Sequence, residues 1–357
     1  MTVAQSAPRR FPGWLRVTLY GAWFFACLVV SFYATFPLDF LKQPILDGAE
    51  RALGKGKQGR YGVDPKVEIV DMSLWGGTGV SLERVKVQLG STDPDPGAEI
   101  DIDELNVRVG LFSLLFGSPT LEVDAKLYQG NASGSVSLAG GKAYEDKAFG
   151  DLRALLDGKA ENVRSLDLDI EDVDLGKAPF VVKKAGVPVT GVLGGTVSLD
   201  MGDKPSEEAK GAVNLAVKGI NLGPGELEIP VPGLTGGLTV PLIDLGDLEA
   251  KIKLDKGKGK TQKLGLNGRD VSADVDLDLD MSPKLSMSRV SGKGWFKIAP
   301  EFLEQNAKFK TILDFAQPLK AARDDDGRYQ FHLRGTLSRP GFKLGEEKSR
   351  GSRRGRR

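Results

Sequence analysis

The sequence predicts a mainly β protein: a single N-terminal transmembrane helix, then an elongated, bent antiparallel β-sheet with a few short helices. Three observations carry this. No charged residue occurs from Val17 to Leu38, glycine accounts for 46 of 357 residues while aromatics make up 7%, and apolar and polar residues alternate over long stretches. Alternation of period two is the mark of a half-buried strand. With few aromatic side chains, packing rests on Val, Leu and Ile in strands punctuated by glycine turns.

The elements follow in chain order. As a helix, Val17–Leu38 rises about 33 Å, enough to cross a bilayer's hydrocarbon core. Arg9, Arg10 and Arg16 precede it and Asp39 is the first charge after it. The positive-inside rule then leaves residues 1–16 in the cytoplasm and exports the rest. Trp14, Tyr20 and Trp23 on one side, with Tyr33 on the other, suit the interfacial aromatic belt. Ser31–Pro37 is a poor cleavage site, and Phe24 and Phe25 ahead of Cys27 make a poor lipoprotein signal, so residues 17–38 read as a retained anchor. Residues 39–66 read as a membrane-proximal linker or helix broken by Pro44, and residues 67–345 as an exported β-rich domain. Leu111–Phe116 is a short apolar crossover, and Asp151–Leu156 adds a turn or two. Pro300 to about Leu319 is the best exported helix, with Leu303, Phe309, Ile312, Leu313, Phe315 and Ala316 on one face. Tyr329 to Leu337 is the last strand. Residues 346–357, rich in Lys, Arg, Gly and Ser, bury nothing and read as a disordered tail. That tail either meets anionic head groups or an acidic partner, or simply aids solubility.

The most regular strand is Val271–Met281. Val271, Val275, Leu277, Leu279 and Met281 share one face and form a candidate apolar groove, while Asp274, Asp276, Asp278 and Asp280 share the other. The aspartates are no EF-hand loop, because the positions that need Gly and Glu hold Leu279 and Leu285. A second pattern recurs: alternation, a two-residue break, then alternation in opposite phase. It occurs at Leu82/Val85, Ile102/Leu105, Ile170/Val173, Val217/Ile220 and Leu245/Leu248. A phase flip in an amphipathic strand demands a bulge or bend, or the dry face would turn into water. Repeated bends of one kind indicate one unit used several times.

Composition narrows the function. Cys27 is the only cysteine and lies in the anchor, so no disulfide forms within the exported part. His332 is the only histidine and alternates with Phe331 and Leu333, which reads as a strand residue rather than half of a catalytic pair. No phosphate-binding glycine loop is present. Lys and Arg (49) nearly balance Asp and Glu (48), so no basic field points to nucleic acid. The expectation is a protein that is not an enzyme, with no cofactor and no metal.

Two segments carry a family resemblance. Gly186–Leu199, with Gly191 and Gly195, resembles the glycine-punctuated strand pairs of the AsmA-like group of bacterial envelope proteins. Tyr329–Pro340, with Gly335, Thr336, Leu337 and Pro340, resembles that group's closing strand. With its length and single anchor, the chain looks most like the longer form of the type II secretion system protein N family. The resemblance implies a single-pass bacterial inner-membrane protein, with residues 67–345 in the periplasm, whose partners are other type II secretion components. The alternative is a lipid-handling protein: a dry face covered by a second layer makes a plain structural sandwich, whereas an open one is a groove for the acyl chains of phospholipid or for an apolar partner surface. The large AsmA-like lipid carriers are several times longer, and the basic tail has no counterpart in the group.

Overall fold

In a computed structural model, the described residues are 66–75, 79–89, 98–110, 120–138, 163–202, 204–227, 238–282, 287–315, 317–337 and 339–345, with isolated positions before residue 66. The chain divides into two units, Met1–Pro44 and Ile45–Arg357. The second contains one 14-stranded antiparallel sheet and few short helices. Its strands are β1 (Lys66–Trp75), β2 (Gly79–Leu89), β3 (Ala98–Val109), β4 (Thr120–Leu127), β5 (Gly130–Leu138), β6 (Val163–Asp174), β7 (Val189–Asp200) and β8 (Lys210–Leu222). After a separate hairpin of β9 (Gly225–Leu227) and β10 (Leu238–Val240), the sheet continues with β11 (Ile243–Asp255), β12 (Lys258–Asn267), β13 (Val271–Asp280), β14 (Arg289–Ile298), β15 (Tyr329–Thr336) and β16 (Arg339–Leu344). Every strand pairs with its neighbour in sequence, except that β8 pairs directly with β11. Thirteen strand-to-strand steps cover about 60 Å along the hydrogen-bonding direction.

The phase flips are physical bends. Residues at or beside the breaks adopt positive φ: Arg84 (52°) in β2, Asp172 (52°) in β6, Gly219 (62°) in β8 and Gly246 (64°) in β11. Pairing slips beside three of them, between Ile170 and Val173, Asp244 and Gly246, and Gly246 and Leu248. In β1–β3 the break crosses three strands in step: Ile69 faces Val85, which faces Ile102, and Asp71 faces Glu83, which faces Glu104. The bends in β1, β2, β6 and β8 each expose two consecutive residues, and each bend returns the apolar side chains to one face.

Apart from the short helix joining β7 to β8, the helices gather at one end of the strands, where β6, β11, β13 and β14 meet their turns. α1 (Pro179–Ala185) starts on Pro179, whose missing N–H costs nothing at a first turn, and stops at Gly186, where φ is 72°. A 3₁₀ turn at Leu175–Lys177, capped by the Asp174 carboxylate, leads into it. α2 (Pro205–Glu208) joins β7 to β8. The helix expected over residues 300–319 is instead three: α3 (Pro300–Gln305), α4 (Ala307–Phe315) and α5 (Gln317–Ala322). Asn306 breaks the first from the second, because its side-chain amide donates to the Phe302 carbonyl from a non-helical backbone.

No helix among the described residues is long and apolar enough to cross a membrane. The Val17–Leu38 run, apart from Trp23 and Phe24, lies outside the described residues, as do the crossover 111–116, the segment 151–156 and the tail 346–357.

Candidate functional site: the dry face of the sheet

Strand register carries one apolar face across the sheet. Leu105 faces Ala125, which faces Ala132, which faces Ile170, and Val197 faces Val213, which faces Ile252. Farther on, Val275 faces Gly294 and Gly294 faces Phe331. Most of these residues are half-buried, and Ala125 and Phe331 are buried.

Among the described residues most buried apolar side chains gather in four local clusters, while Ala125, Val217, Ile220, Val290, Ala322, Tyr329 and Phe331 are buried outside them. Val67, Ile69, Leu82 and Val85 form one beside the first bend, with Leu46 packed against it. Tyr128, Val173 and Ala178 form another beneath α1, where Phe180 and Val181 cover Ile100, Ile170 and Leu193. Lys183 on that helix pairs with Glu99 at 3.7 Å, so α1 reaches from β6 back to β3. Val187, Val240, Ile243 and Phe302 form a plug over the strand ends, completed by Leu303 and Phe309. The Phe302 and Phe309 rings meet edge to face at 5.9 Å. At the opposite strand ends Met201, Ala209, Leu254 and Met281 make the fourth. Between the last two clusters the dry face is about 26 Å wide along β13. Val197, Val213, Leu215, Ile252, Val275 and Leu277 belong to none of the four.

The structure therefore divides the residues proposed for the groove. Val275 and Leu277 are half-buried and, among the described residues, join none of the clusters. Val271 packs against the helical plug, Leu279 packs against the far cluster, and Met281, only 7% exposed, belongs to it. Alternation alone does not distinguish the packed ends from the stretch between them.

The glycines have defined work. At Gly195, φ 139°, an added Cβ would sit 2.1 Å from the Asn214 carbonyl oxygen, so neighbouring backbone approaches too closely for any side chain. Gly191 is buried with φ 148°, and a Cβ there would press on Val217. Gly335, φ 143°, stands opposite Pro340, and Thr336 opposite Arg339 closes the β15–β16 hairpin. Leu337 is 44% exposed in that turn, and its N–H donates to the Ser288 carbonyl at 2.9 Å.

An aromatic strip at the last strands escaped sequence reasoning. Phe296 stacks on Tyr329 at 5.0 Å, and Phe331 meets Phe342 at 4.8 Å. The Phe331 ring lies where a Cβ on Gly294 would be, 2.6 Å away. The signal was present: Gly292, Gly294 and Phe296 share a parity, and the register brings them opposite Leu333, Phe331 and Tyr329.

The other face is polar. Asp276 stands opposite Lys293, Asp278 opposite Lys260, and Asp280 opposite both Lys258 and Arg289. The aspartate row is thus flanked by cations on neighbouring strands, which suits a solvated face rather than a calcium site. Among the described residues no cluster of three or more His, Cys, Asp or Glu is placed to hold a metal. His332 stands between Lys293 and Lys343 in register. Lys126 hydrogen-bonds Glu104 at 2.7 Å and, with Asn106, holds that carboxyl below its ordinary range. Lys263 does the same for Glu249 at 2.7 Å. Both carboxylates keep to the surface, where such pairs contribute little stability.

What the geometry offers chemically is an uncharged aliphatic surface, closed by packing at both strand ends and bounded by a charged reverse side. No protein-family model matches the chain, and no curated protein or solved structure is similar to it.

Proposed function

We propose that the protein is a non-enzymatic component of a type II protein secretion system, held at the bacterial inner membrane by the Val17–Leu38 run and acting in the periplasm on assembly or export. The observation that supports this best is a single antiparallel meander ending in the hairpin that contains Gly335, Thr336, Leu337 and Pro340. Those are the residues through which the sequence resembles type II secretion system protein N. Affinity purification from cross-linked envelopes tests it. Pseudopilins, the secretion ATPase complex or the outer-membrane secretin are expected to copurify, and deletion is expected to strand folded exoproteins in the periplasm. Normal secretion after deletion, with none of those subunits recovered, would sink the reading.

A second reading has its own observation. The half-buried stretch around Val213, Leu215, Ile252, Val275 and Leu277 is an apolar surface in none of the packed clusters. Such a surface suits acyl chains, which need burial from water and no hydrogen bonds. On this reading the protein shields phospholipid between membrane and envelope. Mass spectrometry of gently purified protein is expected to find stoichiometric phospholipid, and its absence removes the idea.

A further inference from the structure

We propose that β16 is a self-recognition edge, pairing antiparallel with β16 of a second copy across a two-fold axis at Phe342. The two outermost strands of the sheet are unlike. Along β1, the Glu50 carboxylate accepts the Val67 N–H at 3.4 Å and Leu46 packs against the strand's buried residues. At β16, Phe342 is 58% exposed and its ring rests on Phe331. Gly345 N–H donates inward to the Gln330 carbonyl at 2.9 Å, so alternation turns the N–H groups of Leu344 and Phe342 outward. Pro340, also in the outward phase, has a carbonyl to offer and no N–H.

Charge selects one register. Centred on Phe342, an antiparallel pair sets Lys343 opposite the partner copy's Gly341, and Arg339 opposite its Gly345. Every basic side chain then faces glycine. Centred on Gly341 the pair would oppose Arg339 to Lys343, and centred on Lys343 it would oppose two lysines; like charges directly across strands destabilise. The favoured register also exchanges two hydrogen bonds between the Phe342 residues and lets each Leu344 N–H reach the other copy's Pro340 carbonyl. It joins the two dry faces through paired Phe342 rings, continuing the aromatic strip.

Cross-linking of the full chain in mild detergent tests this, with Cys27→Ser removing the native thiol. Residues directly opposite lie about 5.5 Å apart at Cα, within disulfide reach. Phe342→Cys is expected to give a covalent dimer on oxidation. Leu344→Cys is not, because each Leu344 faces the other copy's Pro340 and the two lie about 13 Å apart. Phe342→Lys, at an exposed position, is expected to keep its circular dichroism while weakening the dimer about 30-fold by light scattering, as loss of a central aromatic anchor does. A wild-type chain that stays monomeric, equal cross-linking at both positions, or an unweakened Phe342→Lys dimer overturns the proposal. Recovery of β16 paired only with a strand of another protein does so too.

Discussion

Asp270, in the turn between β12 and β13, is 6% exposed and ties three elements together. Its carboxylate accepts the Asp244 N–H at 2.8 Å and the Arg269 Nε–H at 3.1 Å, while its own carbonyl accepts the Ala299 N–H at the start of α3. Burial pushes its pKa up, but the hydrogen bonds from Arg269 and Asp244 outweigh that, and the net direction is down. A carboxyl held lower in the folded state contributes stability above its unfolded value, about pH 4, and loses it as pH falls through the folded value. Asp270→Asn is therefore expected to cost about 1–3 kcal/mol near neutrality. That penalty should shrink below about pH 4. Urea midpoints of both proteins between neutral and acid pH check it, and a constant difference refutes it. Nothing in the sequence marks this aspartate, since its partner Asp244 is far along the chain. Gly195 is the opposite case: the resemblance of its segment to glycine-punctuated strand pairs flagged it, and the structure supplies the carbonyl that excludes a side chain.

At the scale of elements, the bends were legible because each leaves a two-residue break in an otherwise regular alternation. Their backbone chemistry was not. Gly219 and Gly246 both have positive φ, yet a Cβ on Gly219 meets nothing within 4 Å while one on Gly246 would lie 2.1 Å from the Asn267 carbonyl oxygen. Gly219→Ala is expected to cost about 1–2 kcal/mol, the left-handed penalty alone. Gly246→Ala is expected to cost more, about 3–4 kcal/mol, as the β11–β12 ladder shifts to admit the methyl. Thermal unfolding of the two variants checks the ordering, and equal losses contradict it. The 300–319 helix failed as one element because a local hydrogen bond at Asn306 outcompetes the apolar periodicity. α1 was missed since seven residues with two adjacent valines carry too little helical pattern.

Across the whole sheet, the decisive feature is which part of the dry face joins no packed cluster of the described residues. Leu277 faces Gly292 on that part, and Asp276 beside it faces Lys293 on the wet side. If the face holds acyl chains, Leu277→Asp is expected to abolish lipid copurification, while Asp276→Asn leaves it unchanged. Loading that survives Leu277→Asp rejects the acyl-chain reading and leaves the secretion reading standing.

By itself the sequence determined the strands, their faces and the places where they bend, because side-chain direction in a strand depends on counting residues by two. Only the tertiary structure decided that Val271 and Met281 pack into clusters which, among the described residues, Val275 and Leu277 do not join. It also decided that β8 neighbours β11 and that four aromatic rings gather on the last three strands of the sheet. Those outcomes depend on which distant segments fold back over a face, and no local pattern encodes such contacts.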